Sequence, residues 1–240
     1  MGRVTFLNPK RNLYMTIKGL QKLTLLDYPG TLAAIVFVGG CNFRCPFCHN
    51  GTLVLGNEGD LDIGQIFSFL ESRKNKLSGV VISGGEPTLY PDLPDFIRRI
   101  RSLGYKIKLD TNGTNPEMIR MLVGEGLVDY VAMDIKNSPS SYEATAGAKV
   151  NMGKICQSVD FLLSDAVEYE FRTTLVRQLH THEDMKKIGE WIKGAKRYFL
   201  QSYKHTDGVI SKGLDAHTTK TVAEFLEVVL PYVPNAQIRG

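Results

Sequence analysis

The sequence predicts an α/β fold: a partial (β/α)6 TIM-like barrel with a parallel sheet, in a single domain with a short N-terminal extension. Three observations predict it. Apolar, often β-branched runs recur along the chain at Ala33–Val38, Val80–Ile82, Ile107–Leu109, Val128–Met133, Glu168–Val176 and Arg197–Leu200. Each is followed by a stretch with helical spacing, and strand–helix alternation of this kind builds a parallel sheet with right-handed crossovers. Eight such units close a full barrel of about 250 residues. The 240 residues here hold six, which implies a barrel left open.

Residues 1–32 are the extension. Within them 14–18 and 23–30 read as short extended segments, the second ending in a Pro-Gly turn. The barrel domain is expected over 33–240. Ala33–Val38 is near-continuously apolar, as a strand buried on both faces should be. Ile63, Ile66, Phe67 and Leu70 share one helical face behind Asp62 and Gln65 as a cap pair. Leu93, Phe96, Ile97 and Ile100 repeat the spacing. Asn115-Pro116 opens a helix through Ile119 and Leu122, and Asn151 opens one through Ile155, Val159, Leu162 and Leu163. Thr181 and Asp184 resemble a capping box before Met185, Ile188 and Ile192. Val222, Phe225, Leu226 and Val229 make the last helix.

Composition sets broad bounds. At 43% hydrophobic and 22% charged, the chain has an ordinary globular balance. No apolar run approaches the roughly 18–20 residues of a membrane span, and residues 1–18 lack a signal-peptide core. A cytoplasmic location is therefore expected, where thiols stay reduced. The net charge of +4 is modest and scattered, so a nucleic-acid partner is not indicated.

Three of the four cysteines, Cys41, Cys45 and Cys48, are spaced C-x3-C-x2-C on the loop leaving the first barrel strand. Thiolates suit iron–sulfur clusters, zinc and copper(I). Cys45 to His49 also fits the C-x-x-C-H haem pattern and the C-x-x-C redox pattern. Three cysteines with His49 fit a structural zinc site. Cys41 serves neither haem nor dithiol chemistry, which moves the weight to a metal or a cluster. Cys156 lies far away on an amphipathic stretch and reads as a packed thiol. A cluster held by three thiolates leaves one iron open to substrate.

In parallel α/β folds the site lies at the C-terminal strand ends. The second strand ends in Ser83-Gly84-Gly85-Glu86-Pro87; its plain reading is a tight turn with a solvated carboxylate, and its functional one a glycine-lined approach to a ligand whose ammonium meets Glu86. The third ends in Asp110-Thr111-Asn112-Gly113, which is either an Asx-type turn or a grip for hydroxyls or a hard cation. On the fourth, Asp134 and Lys136 face one side, as an ion pair or as a cation ligand and a carboxylate anchor. On the fifth, Arg172 needs a partner, with Glu168 or Glu170 as candidates, or a ligand carboxylate. Gln201, Tyr203, Lys204 and His205 follow the sixth too loosely to assign, and His49 and His205 read as local hydrogen-bonders.

Cys41, Cys45 and Cys48 with Phe47 before the last cysteine, followed by Gly84-Gly85-Glu86-Pro87, resemble the radical S-adenosylmethionine (SAM) superfamily. Within it, Gly19–Gly30, the Cys45–Asn50 run, Leu109–Gly113 and Met133–Lys136 resemble glycyl-radical-enzyme activases. The chain is most similar to the anaerobic ribonucleoside-triphosphate reductase activating proteins. The resemblance implies that Cys41, Cys45 and Cys48 hold a [4Fe–4S] cluster whose open iron SAM chelates. It implies that Phe47 lies near the adenine, that Gly84, Gly85 and Glu86 bind the methionine amino group, and that Lys136 and Arg172 steady the carboxylate. Asp110, Thr111 and Asp134 match a monovalent-cation site. The implied reaction is one-electron cleavage of SAM to methionine and a 5′-deoxyadenosyl radical, which takes a hydrogen atom from a glycine of the partner. The implied partners are a glycyl radical enzyme, anaerobic ribonucleotide reductase, and a flavodoxin or ferredoxin as electron donor, since Cys156 alone holds no second cluster. Two rival functions stand beside it: a radical SAM enzyme acting on a small molecule or modified nucleoside, and a zinc or iron–sulfur binding module.

Overall fold

The computed structural model describes residues 15–55, 59–206 and 208–239. Residues 1–14, including Tyr14 of the extended segment expected at 14–18, lie outside the described residues. One eight-stranded sheet runs through the molecule in sequential order. It comprises β1 (Ile17–Thr24), β2 (Ala33–Val38), β3 (Gly79–Gly84), β4 (Lys106–Thr111), β5 (Tyr130–Asp134), β6 (Glu168–Leu175), β7 (Tyr198–Ser202) and β8 (Ala236–Arg239). The six expected strands are β2 to β7, all parallel. Two more flank them. β1 pairs antiparallel with β2, and β8 adds in parallel to β7. β1 and β8 are the two ends of the sheet order and do not pair with each other, so the barrel is open along that side.

The helices are α1 (Gly51–Leu55), α2 (Ile63–Ser72), α3 (Leu93–Ser102), α4 (Pro116–Gly124), α5 (Tyr142–Ala146), α6 (Met152–Leu163), α7 (His182–Trp191) and α8 (Thr219–Val229). Their starts follow from side chains that satisfy the first free backbone N–H groups. Asp62 caps α2, Asn115 caps α4 and Asn151 caps α6, each through its side-chain oxygen. Thr181 and Asp184 form the expected capping box of α7. Thr218 caps α8. Among the described residues no helix is long and apolar enough to cross a membrane.

Strand alternation sends two sets of side chains to two different places. Ala34, Val36 and Val38 join Val80, Ile82, Leu109 and Val131 in the main core under the helices. Ala33, Ile35, Val81 and Tyr130 fill a small apolar layer inside the barrel with Tyr28, which plugs it from the β1–β2 turn. Further along the same inner faces the side chains become polar: Ser83, Asp110, Asp134, Arg172, Thr174 and Gln201. The apolar layer closes one end of the barrel interior, and the polar one opens at the strand ends.

Candidate active site

A cavity of about 350 Å³ lies at the C-terminal ends of the strands, under the cysteine loop. Gly84 and Gly85 make that contact close. Gly84 has φ +107°, and a Cβ on Gly85 would sit 1.7 Å from the Gly40 carbonyl oxygen. No other residue fits where the end of β3 crosses the start of the cysteine loop. Backbone bonds then lock the loop. Gly85 N–H donates to the Val38 carbonyl and Glu86 N–H to that of Gly40, both at 2.9 Å. Arg44 N–H donates to the Ala146 carbonyl (2.9 Å), and Ser211 N–H to the Pro46 carbonyl (2.9 Å). The Arg44 guanidinium binds back onto the carbonyls of Cys41 and Phe43 at 2.6 and 2.7 Å.

Cys41, Cys45 and Cys48 are free thiols that line the cavity together, with Phe47 buried beside them. Cys156 does not line it. Burial pushes the Cys41 thiol up to about 12, with the Glu86 charge adding to it. Burial likewise raises Cys45 and Cys48, against the opposing pull of Lys136. Metal ligation needs thiolates, so loading such a site releases protons. Among the described residues no three His, Cys, Asp or Glu side chains converge on a point that a single ion could occupy. Three free thiols lining one cavity supply the soft donor set that a cluster takes. His49 lines the cavity too, with its Nδ1 3.4 Å from the Thr206 hydroxyl and its ring stacked on Tyr203. The Tyr203 hydroxyl is 3.3 Å from His205 Nδ1, which makes both histidines the local hydrogen-bonders expected.

Across the cavity floor runs a network of five charges. Lys108 Nζ reaches Asp110, Arg172 bridges Asp110 (3.4 Å) and Asp134 (2.9 Å), and Lys136 Nζ meets Asp134 at 2.9 Å. Burial is the largest effect and opposes ionisation of both carboxylates, but the Arg172 charge, together with Lys108 at Asp110 and Lys136 at Asp134, outweighs it and holds both below the usual range. Burial likewise opposes charge on Lys136 and Arg172, and the aspartates override it, so both cations stay charged. The expected partners of Arg172 are corrected here. Asp134 sits opposite Arg172 in the β5–β6 register, whereas Glu168 pairs with Arg197 and Glu170 with Arg239.

Two other expectations change. Glu86 does not face the cavity. It is fully buried and accepts from Thr88 N–H (3.1 Å), the Thr88 hydroxyl, the Thr111 hydroxyl (2.7 Å) and Asn112 N–H (2.6 Å). Its carboxylate ties the end of β3 to the end of β4, so Gly84 and Gly85 line the cavity without it. Thr111 thereby turns its hydroxyl away from Asp110 and Asp134, which are themselves neutralised by protein cations; the three do not form one cation-ligand set.

Several cavity residues carry no motif. Ser83 donates to Asp110 at 3.0 Å and Asn50 Nδ2 to the Gly84 carbonyl at 3.1 Å. Asp27 reaches the lining from the β1–β2 turn. Thr174 could have been found by period two from Arg172. His180 is buried and bridges β5 and β6: its Nδ1 accepts from Val176 N–H at 3.1 Å, and its Nε2 lies 2.9 Å from the Lys136 carbonyl, to which it donates. Nothing in its spacing marks that role.

The radical SAM superfamily model matches residues 35–193. A candidate glycyl-radical enzyme activating enzyme of Methanocaldococcus jannaschii is 31% identical over 230 residues, covering 93% of this chain and 95% of that protein. A 7-carboxy-7-deazaguanine synthase of Neisseria meningitidis is 33% identical over 108 residues, 45% of each protein. Among solved structures, Streptococcus suis SuiB bound to S-adenosylmethionine superposes with a TM-score of 0.66 at 16% identity, covering 84% of this chain. The match spans about half of the SuiB chain (48%). A three-thiol loop at the mouth of an open parallel barrel defines a class of cluster-dependent enzymes, and this chain belongs to the radical SAM superfamily. Members of that family bind a [4Fe–4S] cluster and SAM, and the free, cavity-lining Cys41, Cys45 and Cys48 with the glycine-lined approach at Gly84–Gly85 fit both groups.

Proposed function

We propose that this radical SAM enzyme is an activase that generates a glycyl radical on a partner enzyme, and that the partner is anaerobic ribonucleoside-triphosphate reductase. The observation that carries the reading is the similarity to the M. jannaschii candidate activating enzyme, which extends over 95% of that protein's length. The open side of the barrel, between β1 and β8, supports it, because a protein substrate needs an entrance wide enough for a polypeptide.

In this reading Cys41, Cys45 and Cys48 hold the cluster, and Phe47 packs against the nucleoside. Gly84 and Gly85 allow the amino acid end of SAM to approach the backbone, and Lys136 meets its carboxylate. Bound there, the two groups together supply a carbon-centred radical that abstracts a hydrogen atom from glycine. The electron comes from a flavodoxin or ferredoxin in the cytoplasm. Arg172 does its work through Asp134: it holds that carboxylate in place and leaves the Lys136 ammonium aimed at the cavity. The cysteine loop and the Phe47 side wall keep bulk water from the reacting atoms, while the cofactors carry the chemistry.

The test is electron paramagnetic resonance on the anaerobically reconstituted protein mixed with the reductase, a reductant and SAM. A glycine-centred signal whose hyperfine splitting collapses when deuterated glycine is incorporated is the expected result. The partial match to 7-carboxy-7-deazaguanine synthase favours a second reading, a small-molecule or nucleoside enzyme. No glycine signal with the reductase, together with stoichiometric SAM cleavage driven by a small metabolite, would establish that reading instead.

A further inference from the structure

Large apolar side chains left in water are usually scattered singly over a folded surface. Here they gather. Six are exposed among the described residues, and four of them, Leu23, Leu25, Leu26 and Leu32, belong to the end of β1 and the turn into β2. Leu25 and Leu26 are 70% and 85% exposed. The turn that presents them is held in place. The Thr24 hydroxyl accepts from Leu26 N–H and Asp27 N–H, both at 3.2 Å, and donates to the Asp27 carboxylate. The Tyr28 carbonyl accepts from Thr31 N–H at 3.0 Å, and the Tyr28 ring is buried inside the barrel. A turn already fixed loses little freedom when a partner covers it, which favours docking.

Cations surround the leucines. Lys22 precedes Leu23 on β1. The Leu32 carbonyl accepts from Ser78 N–H at 2.8 Å, which brings the α2–β3 connection, with Arg73, Lys74 and Lys76, alongside the turn. The Ser78 carbonyl in turn accepts from Lys106 N–H at 3.0 Å, at the start of β4. All five cationic side chains are exposed, and none forms an ion pair among the described residues. The acids of the same stretches are Asp27 and Glu71, so positive charge is in excess. Asp129, near the start of β4, is matched by Arg101. Such a surface fits a partner that offers an apolar socket bordered by carboxylates. A second copy of this chain fits it poorly, because like charges would meet.

Its position narrows the partner further. β1 is the last strand on its side of the sheet and borders the opening between β1 and β8. The same turn also reaches the catalytic cavity, since Asp27, next to Leu26, lines it. A protein seated on the leucines therefore lies beside the entrance through which one of its own segments can pass. We infer that the β1–β2 turn is the docking surface for the enzyme that receives the radical. Leu25 and Leu26 fill an apolar socket on that enzyme, and Lys22, Lys74 and Lys76 meet carboxylates around it. The inference rests on the activase reading and adds to it the face by which the partner is held.

The experiment uses the reconstituted, SAM-loaded enzyme and the intact anaerobic reductase. Reductase affinity and association rate are read by fluorescence of the labelled enzyme, and radical yield by electron paramagnetic resonance. SAM affinity is read by equilibrium dialysis, self-association by sedimentation, and folding by thermal unfolding. Leu25→Ser/Leu26→Ser should weaken reductase binding roughly ten- to a hundredfold, as the loss of an interface anchor does. Lys74→Glu/Lys76→Glu should slow association about tenfold at low salt and flatten its salt dependence. Iron content, SAM affinity and thermal midpoint should match the wild type, because all four side chains are exposed. If the serine variant unfolds, the glutamate variant decides. Reductase binding and radical yield that survive the substitutions unchanged overturn the docking surface and leave the activase reading standing. Wild-type binding to phosphatidylglycerol vesicles, or to a second copy, that the substitutions abolish while the reductase still binds has the same consequence. A wild-type enzyme that neither binds the reductase nor forms a glycyl radical on it overturns the activase reading, and the docking partner with it.

Discussion

Glu86 and Lys136, both expected from the sequence to meet SAM, should fail in opposite ways. Glu86 accepts four hydrogen bonds from three residues in a place that no water reaches. Glu86→Gln turns one acceptor into a donor aimed at other donors, which should cost about 1–3 kcal/mol of stability and visibly lower the thermal midpoint. Lys136→Met leaves Asp134 its Arg172 partner, so the fold should hold. SAM affinity should instead fall roughly ten- to a hundredfold with the iron content unchanged, measured by equilibrium dialysis and iron analysis. The sequence shows that Gly84-Gly85-Glu86 matters but not where the carboxylate points. At Gly84 the chain turns into positive φ, and strand alternation no longer orients the side chains beyond it. The partners of Arg172 were hidden for a related reason. Glu168 and Glu170 are near in sequence, while Asp134 and Asp110 are near only through the register of neighbouring strands, which is a non-local property.

At the scale of elements, the helix starts were legible because a cap is a local device. The Thr181–Asp184 box is the strongest, and it does more than begin α7. Asp184 Oδ1 also accepts from the hydroxyls of Ser138 (2.6 Å) and Ser141 (3.0 Å), tying the segment after β5 to α7. Asp184→Ala should cost about 1–3 kcal/mol. Burial works against the Asp184 charge, but the Ser138, Thr181 and Ser141 hydrogen bonds override it and hold the carboxyl below its ordinary range. The unfolded chain therefore takes up the proton at a higher pH than the folded one. The charge-dependent stabilisation is fully present above the ordinary aspartate value of about 4 and is lost as pH falls below it. Denaturant midpoints of wild type and variant should be furthest apart near neutrality and converge on acidification towards pH 3. The elements the sequence did not reveal, α1, α5 and β8, are four or five residues long. That is too short for either a two- or a 3.6-residue period to repeat.

For the whole molecule, six strand–helix units were enough to predict an open barrel, but not how its open side is finished. β8 finishes it. Its hydrogen bonds cover the edge of β7, and its Arg239 reaches into the barrel to grip Glu170 through two bonds of 2.8 and 3.1 Å. Glu170 has no exposed surface, and its remaining hydrogen-bond partner is the Tyr130 hydroxyl at 2.9 Å. Tyr130 packs in turn against Tyr28, with ring centroids 6.0 Å apart, so the clamp connects one edge of the sheet to the plug from the other. Removing one partner of a buried ion pair costs about 3–5 kcal/mol, because the other charge stays behind without compensation. Arg239 is a third exposed, so Arg239→Met should cost somewhat less, roughly 2–4 kcal/mol. Adding Glu170→Gln keeps an acceptor for Tyr130 and removes the stranded charge; the double variant should recover at least half of the loss in thermal unfolding. If Arg239→Met is instead neutral, β8 is only an edge covering, and the two sides of the barrel hold their spacing without it.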